Sequence, residues 1–307
     1  MNRILVTGAS GLLGLNFCNF YYKDYEVIGL ANKTAVRNAP FQMLSADLES
    51  ADAAQLLMDL KPDAVLHCAA LANIDTCEKE PEKAERINSV LPGRLAAASK
   101  KQNIKFVHIS TDAVFNGEDC GPDGYHETDR PDPISVYAET KLKGETNVLS
   151  ENPDALVARV NFYGWSMSGK RSLAEFFFNN LSEGKEMNGF CDVFFCSLYV
   201  RYLTDLLLEM MKLDAHGIYH VYSDDHQSKY DFGVSIAKLF GFDPSLIHPV
   251  SWKDGGLNAR RSPNLIMNTD KLAWLLGHPL PTQRKNLERF HRDSLQGTRE
   301  QMLNYAA

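Results

Sequence analysis

An α/β protein built on a doubly wound parallel sheet, with a smaller, interleaved C-terminal domain, is what the sequence predicts. Three observations carry this expectation. The chain opens with an apolar run of strand length, Ile4-Leu5-Val6, that enters glycines spaced three apart at Gly8, Gly11 and Gly14, then an apolar helical pattern at Leu15, Phe17 and Phe20. Strand and helix patterns alternate through residues 1–160, as repeated βα units do. Beyond residue 160 that rhythm changes, and strands and helices no longer alternate regularly.

The first strand and its turn are the most specific element. Glycines at these positions let the backbone approach a pyrophosphate with no side chain in the way. The helix that follows points its free N–H groups and positive dipole end at the phosphates. The expected cofactor contacts here are Gly8, Ser10, Gly11, Leu12, Leu13 and Gly14. An ordinary glycine turn is the bland alternative. Residues 25–30 (YEVIGL) read as the second strand, and a short third strand precedes Asp47-Leu48. Further strands follow at 64–68, 104–109 and 155–160, with helices over 51–60 and 81–101 between them. Residues 1–160 are therefore expected to form a Rossmann-type dinucleotide-binding domain, with segments near 193–222 returning to it. Residues 161–307 are expected to be mainly a substrate domain. There, 173–181, 202–211 and 230–240 read as helices, 217–221 as a strand, and 254–261 as a polar loop before a terminal helical region.

Composition narrows the partners. The chain has 307 residues, 44% hydrophobic and 23% charged, which is ordinary for a soluble protein. A net charge of −7 argues against nucleic acid and anionic membranes. No run approaches the roughly 18 apolar residues of a membrane span, and with a first strand at Ile4 no signal peptide is expected. The six cysteines (Cys18, Cys68, Cys77, Cys120, Cys191 and Cys196) form no CxxC pair, which fits a reduced, cytoplasmic protein. No metal is expected, since the nine histidines show no ligand spacing beside these cysteines.

The second chemical signal is Tyr137-Ala138-Glu139-Thr140-Lys141. On a helix, positions four apart share a face. A nearby ammonium favours the phenolate and lowers a phenol's pKa from its usual value of about 10. The pair is thereby suited to passing a proton. Taken alone it would more simply be a surface tyrosine beside a solvated lysine. The strand over 104–109, however, ends in Ser110-Thr111-Asp112, and ligands of a doubly wound sheet bind outside the carboxyl ends of the strands. Thr111 can hold a substrate carbonyl there while Tyr137 protonates it; a turn role for Ser110 and Thr111 is the alternative.

With Gly8-x2-Gly11-x2-Gly14, Ser110-Thr111 and Tyr137-x3-Lys141 in this order, the chain resembles the extended short-chain dehydrogenase/reductases. The resemblance implies a catalytic set of Thr111, Tyr137 and Lys141, with the lysine also binding the nicotinamide ribose. A narrower resemblance, to the dTDP-4-dehydrorhamnose reductases, is carried by residues 69–78 running on to Asn88, by Ser110-Thr111-Asp112-Ala113-Val114-Phe115-Asn116-Gly117, by 217–221 and by 261–270. Departures from that family are Ala113 in place of tyrosine, Ser262 in place of proline, and a segment 159–165 that is one residue short.

The cofactor follows from the end of the second strand. NAD enzymes usually place an acid there for the ribose hydroxyls. Here the sequence runs Gly29-Leu30-Ala31-Asn32-Lys33-Thr34, with Arg37 close by. Asn32 and Lys33 are expected to take an NADP(H) 2′-phosphate, with NAD(H) as the second choice. The resemblance adds Asp47 and Leu48 at the adenine, and Ala69 and Ala70 near the nicotinamide-side phosphates. Expected substrate contacts are Asp112, then Phe162, Trp165 and Lys170 on the 162–171 loop, and Arg261. The implied function is reduction of a nucleotide-linked 4-keto sugar, with a homodimer left open. Two alternatives stand beside it. A sugar-nucleotide epimerase or dehydratase is one, although Ala113 occupies the place of a dehydratase's glutamate. The other is a regulatory subunit resembling that of methionine adenosyltransferase.

Overall fold

The computed structural model describes residues 1–254 and 262–307. The first half holds β1 (Arg3–Thr7), α1 (Leu12–Tyr21), β2 (Glu26–Ala31), β3 (Gln42–Ser45), α2 (Ala53–Leu60), β4 (Ala64–His67) and α3 (Ile74–Lys79). It continues through α4 (Pro81–Glu85), α5 (Leu91–Lys101), β5 (Lys105–Thr111), α6 (Val136–Glu151) and β6 (Leu156–Val160). In the second half, β7 (Phe162–Tyr163), β8 (Met187–Phe190), β9 (Phe194–Phe195) and β10 (Leu198–Tyr199) lie outside the main sheet. β11 (Gly217–Val221) rejoins that sheet by pairing with β6 from Gly217↔Leu156 to Val221↔Val160.

The central sheet has seven strands in the order β11-β6-β5-β4-β1-β2-β3, and all its pairs are parallel. The order reverses between β1 and β4, so a crevice opens there beyond the carboxyl ends of the strands. β4 and β6 are buried throughout, as expected of strands covered by helices on both faces. Several helices start where polar side chains can hold free N–H groups, whereas α1 opens on Gly11 with no side-chain cap. Asp52 caps α2, Ser135 caps α6, and Ser172 with Glu175 forms a reciprocal capping box at α7 (Leu173–Ser182).

Two expectations change in detail. The strand expected over 104–109 continues to Thr111, because Ser110 and Thr111 pair with Arg159 and Val160 on β6. The helix expected over 81–101 is interrupted by a π-helical turn, Arg86–Val90. Inside that turn Asn88 bonds the backbone of Leu71 in both directions and donates to Thr140 Oγ1 at 3.2 Å. The widened turn thereby ties the loop after β4 to α6. No helix among the described residues is long and apolar enough to cross a membrane.

Candidate active site

A cavity of about 570 Å³ opens at the reversal point of the sheet. Its floor is the turn after β1: Gly8, Ser10, Gly11, Leu12, Leu13 and Gly14. Two of these glycines cannot carry a side chain. Gly8 sits at φ +67°, and a Cβ there would lie 2.7 Å from the Ala69 nitrogen; a Cβ on Gly14 would lie 2.6 Å from the Gly8 carbonyl oxygen. The turn is thus pressed against both α1 and the loop after β4, leaving bare backbone facing the cavity. Asn32, Asp47 and Leu48 line the β2–β3 side, and Ala69 and Ala70 the β4 side. A glycine cradle at a helix N-terminus, lined on both the β2–β3 side and the β4 side, fits an extended dinucleotide.

The reactive groups stand on α6 and at the end of β5. The Thr111 hydroxyl donates to Asp112 Oδ1 at 3.1 Å and lies close enough to the Tyr137 phenol to pull its pKa down. Asp112 accepts a 2.6 Å bond from Asn161 Nδ2, and burial raises its pKa above the usual carboxylate range. One helical turn beyond Tyr137, Lys141 is buried and donates to the Ile109 carbonyl at 2.6 Å. Ile109 lines the cavity, so Lys141 is bonded to the backbone of its wall without being one of the lining residues.

The pKa pattern corrects the sequence expectation. Burial pushes the Tyr137 phenol up to about 12, outweighing the nearby Thr111 hydroxyl that pulls it down. Burial also brings Lys141 down to about 8, with the Glu145 carboxylate opposing. The phenol is therefore not tuned toward neutrality. It is held protonated, the state required of a proton donor.

The structure gathers most of the expected site residues and separates a few. Gly8, Ser10, Gly11, Leu12, Leu13, Gly14, Asn32, Asp47, Leu48, Ala69, Ala70 and Phe162 all line the one cavity. Thr111, Asp112 and Tyr137 cluster together, while Lys141 follows Tyr137 by one helical turn and is bonded to the Ile109 carbonyl. Lys33 is exposed beyond Asn32 and does not line the cavity. Lys170 is likewise exposed and outside the lining, which its neighbour Arg171 joins instead. Trp165 is a clear correction. It is 1% exposed, stacked on Phe290 at 4.4 Å and edge-on to Phe178 at 5.0 Å, so its ring is core rather than substrate surface. Its polar neighbours in sequence disguised an aromatic that the C-terminal helices cover. Arg261 lies outside the described residues.

Sequence reasoning missed several supporting groups. Asn161 holds Asp112. Glu145, with 2% of its side chain exposed, receives the Ser110 hydroxyl at 2.6 Å and pairs with the equally buried Arg159 at 2.8 Å. Glu175 gathers the backbone N–H groups of Ser166, Arg171 and Ser172 and so shapes the 166–172 loop. Only Glu175 carried a readable signal, the Ser-x-x-Glu spacing of a capping box.

The chain is similar to known proteins over nearly its whole length. The family model described as RmlD substrate binding domain matches residues 1–295. The "probable low-salt glycan biosynthesis reductase" of Haloferax volcanii is 31% identical, over 92% of this chain and 95% of its own. Methionine adenosyltransferase 2 subunit beta of Danio rerio is 30% identical, over 89% of this chain and 84% of its own. Among solved structures, dTDP-4-dehydrorhamnose reductase from Bacillus anthracis in complex with NADP superposes with a TM-score of 0.80 at 25% identity, covering 95% of this chain and all of that one.

Proposed function

The chain belongs to the RmlD substrate binding domain family, and from that premise we propose that it is an NADPH-dependent reductase of a nucleotide-linked 4-keto sugar, like the dTDP-4-dehydrorhamnose reductases. The observation that carries this reading is the placement of Thr111, at the end of β5, and Tyr137, on α6, beside a glycine-floored cavity that Ile109 of the same β5 lines.

When bound, the nicotinamide supplies a hydride. The chain's own residues supply the rest. The glycine turn takes the pyrophosphate on backbone N–H groups. Lys141 offers its ammonium to the ribose. Thr111 holds the substrate carbonyl oxygen, and Tyr137 gives that oxygen a proton as it gains charge. Asp112, fixed by Asn161, and Phe162 border the place of the sugar. Three observations support NADPH over NADH: no acid follows β2, Asn32 lines the cavity there, and Lys33 and Arg37 are exposed beyond it. The free state of all six cysteines fits a reducing, cytoplasmic setting.

The identity to methionine adenosyltransferase 2 subunit beta favours one second reading, a regulatory subunit that retains the cofactor cavity. Screening NADPH oxidation against 4-keto sugars linked to different nucleotides separates the two. Turnover with one of them supports the reductase. Tight NADPH binding without turnover on any of them favours the regulatory reading.

A further inference from the structure

We propose that His108 is a positioning residue for Lys141: its ring nitrogen accepts a hydrogen bond from the lysine ammonium, which keeps one further N–H for a bound cofactor. An ammonium has three donors and no acceptor. One goes to the Ile109 carbonyl at 2.6 Å, and a second meets His108 Nε2 at 3.3 Å. Both acceptors belong to β5, so that strand fixes two of the three N–H directions from behind. The third remains for the ribose. The inference rests on the proposed function only for the identity of the cofactor.

His108 can accept at Nε2 only as a neutral ring with its proton on Nδ1. Burial and the adjacent lysine charge hold its pKa well below the usual histidine value, so the ring stays neutral. That arrangement carries a penalty. His108 Nδ1 and His67 Nε2 are both buried with no hydrogen-bond partner among the described residues. The two rings stack at 5.6 Å, and His67 stacks in turn on Phe106 at 5.9 Å. A phenyl or isobutyl group would suit such a stack without stranding a ring nitrogen. What only the imidazole adds is a lone pair facing Lys141.

The titratable and charged groups around Lys141 are few. Tyr137 and Glu145 lie on its own helix, with Arg159 of β6 paired to Glu145. His108 comes from β5, and His67 and Cys68 from the end of β4. Among them, His108 is the side chain whose hydrogen bond reaches the ammonium.

The test is NADPH affinity, titrated by fluorescence across pH, for the wild type, His108→Phe and His108→Gln. Lys141 binds the cofactor best as an ammonium, so affinity falls as pH rises through the lysine pKa. In His108→Phe the charged form loses an acceptor. Affinity near neutral pH should drop about tenfold, the scale of one hydrogen bond to a charged group, and the midpoint should move to lower pH. His108→Gln, whose amide oxygen can accept, should recover most of both. An unchanged affinity and midpoint in His108→Phe would overturn the proposal. So would a His108→Gln as weak as His108→Phe, since loss of ring shape alone would then explain the effect. If thermal melting shows that the phenyl variant does not fold, His108→Leu takes its place in the same comparison. The readout is cofactor binding, so it stands apart from sugar reduction. An enzyme inert toward every keto sugar that still shows this pattern refutes the proposed function and not the role of His108.

Discussion

Tyr137 and Lys141 are one helical turn apart, yet burial moves their proton affinities in opposite directions. The phenol rises to about 12 and the ammonium falls to about 8. A phenol at that level holds its proton at neutral pH and releases it only to a carbonyl oxygen that is gaining charge. Tyr137→Phe keeps the ring's packing and removes that proton. It should lower kcat by about 10²–10⁴, the range for losing a general acid, with NADPH affinity nearly unchanged. Normal turnover by this variant would mean that another group supplies the proton. The lysine sets a pH dependence of its own. Below about 8 it is an ammonium and above it a neutral amine. NADPH affinity should therefore decline as pH rises through that value, and Lys141→Ala should abolish the decline as well as weaken binding. An affinity that is flat across this range would remove Lys141 from the cofactor site.

Among the elements, the turn after β1 and the helix α6 bear the strongest constraints. Gly8→Ala would place a side chain at φ +67° against the Ala69 backbone. The conformation alone costs about 1–2 kcal/mol, and the backbone contact adds to that. A drop in melting temperature together with lost NADPH binding is expected; a variant that binds NADPH normally would show that the turn has room to spare. On α6, Glu145 neutralises the buried Arg159. Glu145→Ala leaves that guanidinium buried without its partner and should cost about 3–5 kcal/mol in urea denaturation. A loss under about 1 kcal/mol would show that water reaches Arg159 and takes the place of the carboxylate. Both constraints bear on what was legible in the sequence. The glycine turn and the Tyr-x3-Lys spacing are local patterns, so periodicity and chain order revealed them. The π-helical turn at Arg86–Val90 depends on Asn88 reaching Leu71 and Thr140. His108 meets Lys141 only once β5 lies beside α6. Trp165 is buried by Phe290 from a distant helix. None of these three leaves a trace in local hydrophobic spacing, because each is fixed by packing between segments far apart in the chain.

For the whole molecule, the parallel sheet supplies the glycine-floored cavity, while the 162–171 segment, shaped through Glu175, brings Phe162 and Arg171 to its wall. Cofactor choice follows from the missing acid after β2. NADPH should bind more tightly than NADH in parallel fluorescence titrations, and equal or tighter NADH binding would refute that preference. The central claim is that a hydride passes within this one cavity to a sugar carbonyl while Tyr137 supplies the proton. Its most direct test uses NADPH deuterated at the transferred position of nicotinamide C4, with a nucleotide-linked 4-keto sugar and the purified protein. The account predicts a reduced sugar carrying deuterium at C4, formed in step with NADPH oxidation and absent with Tyr137→Phe. NADPH that stays bound and unoxidised with every such sugar, or label that never reaches sugar C4, would contradict it.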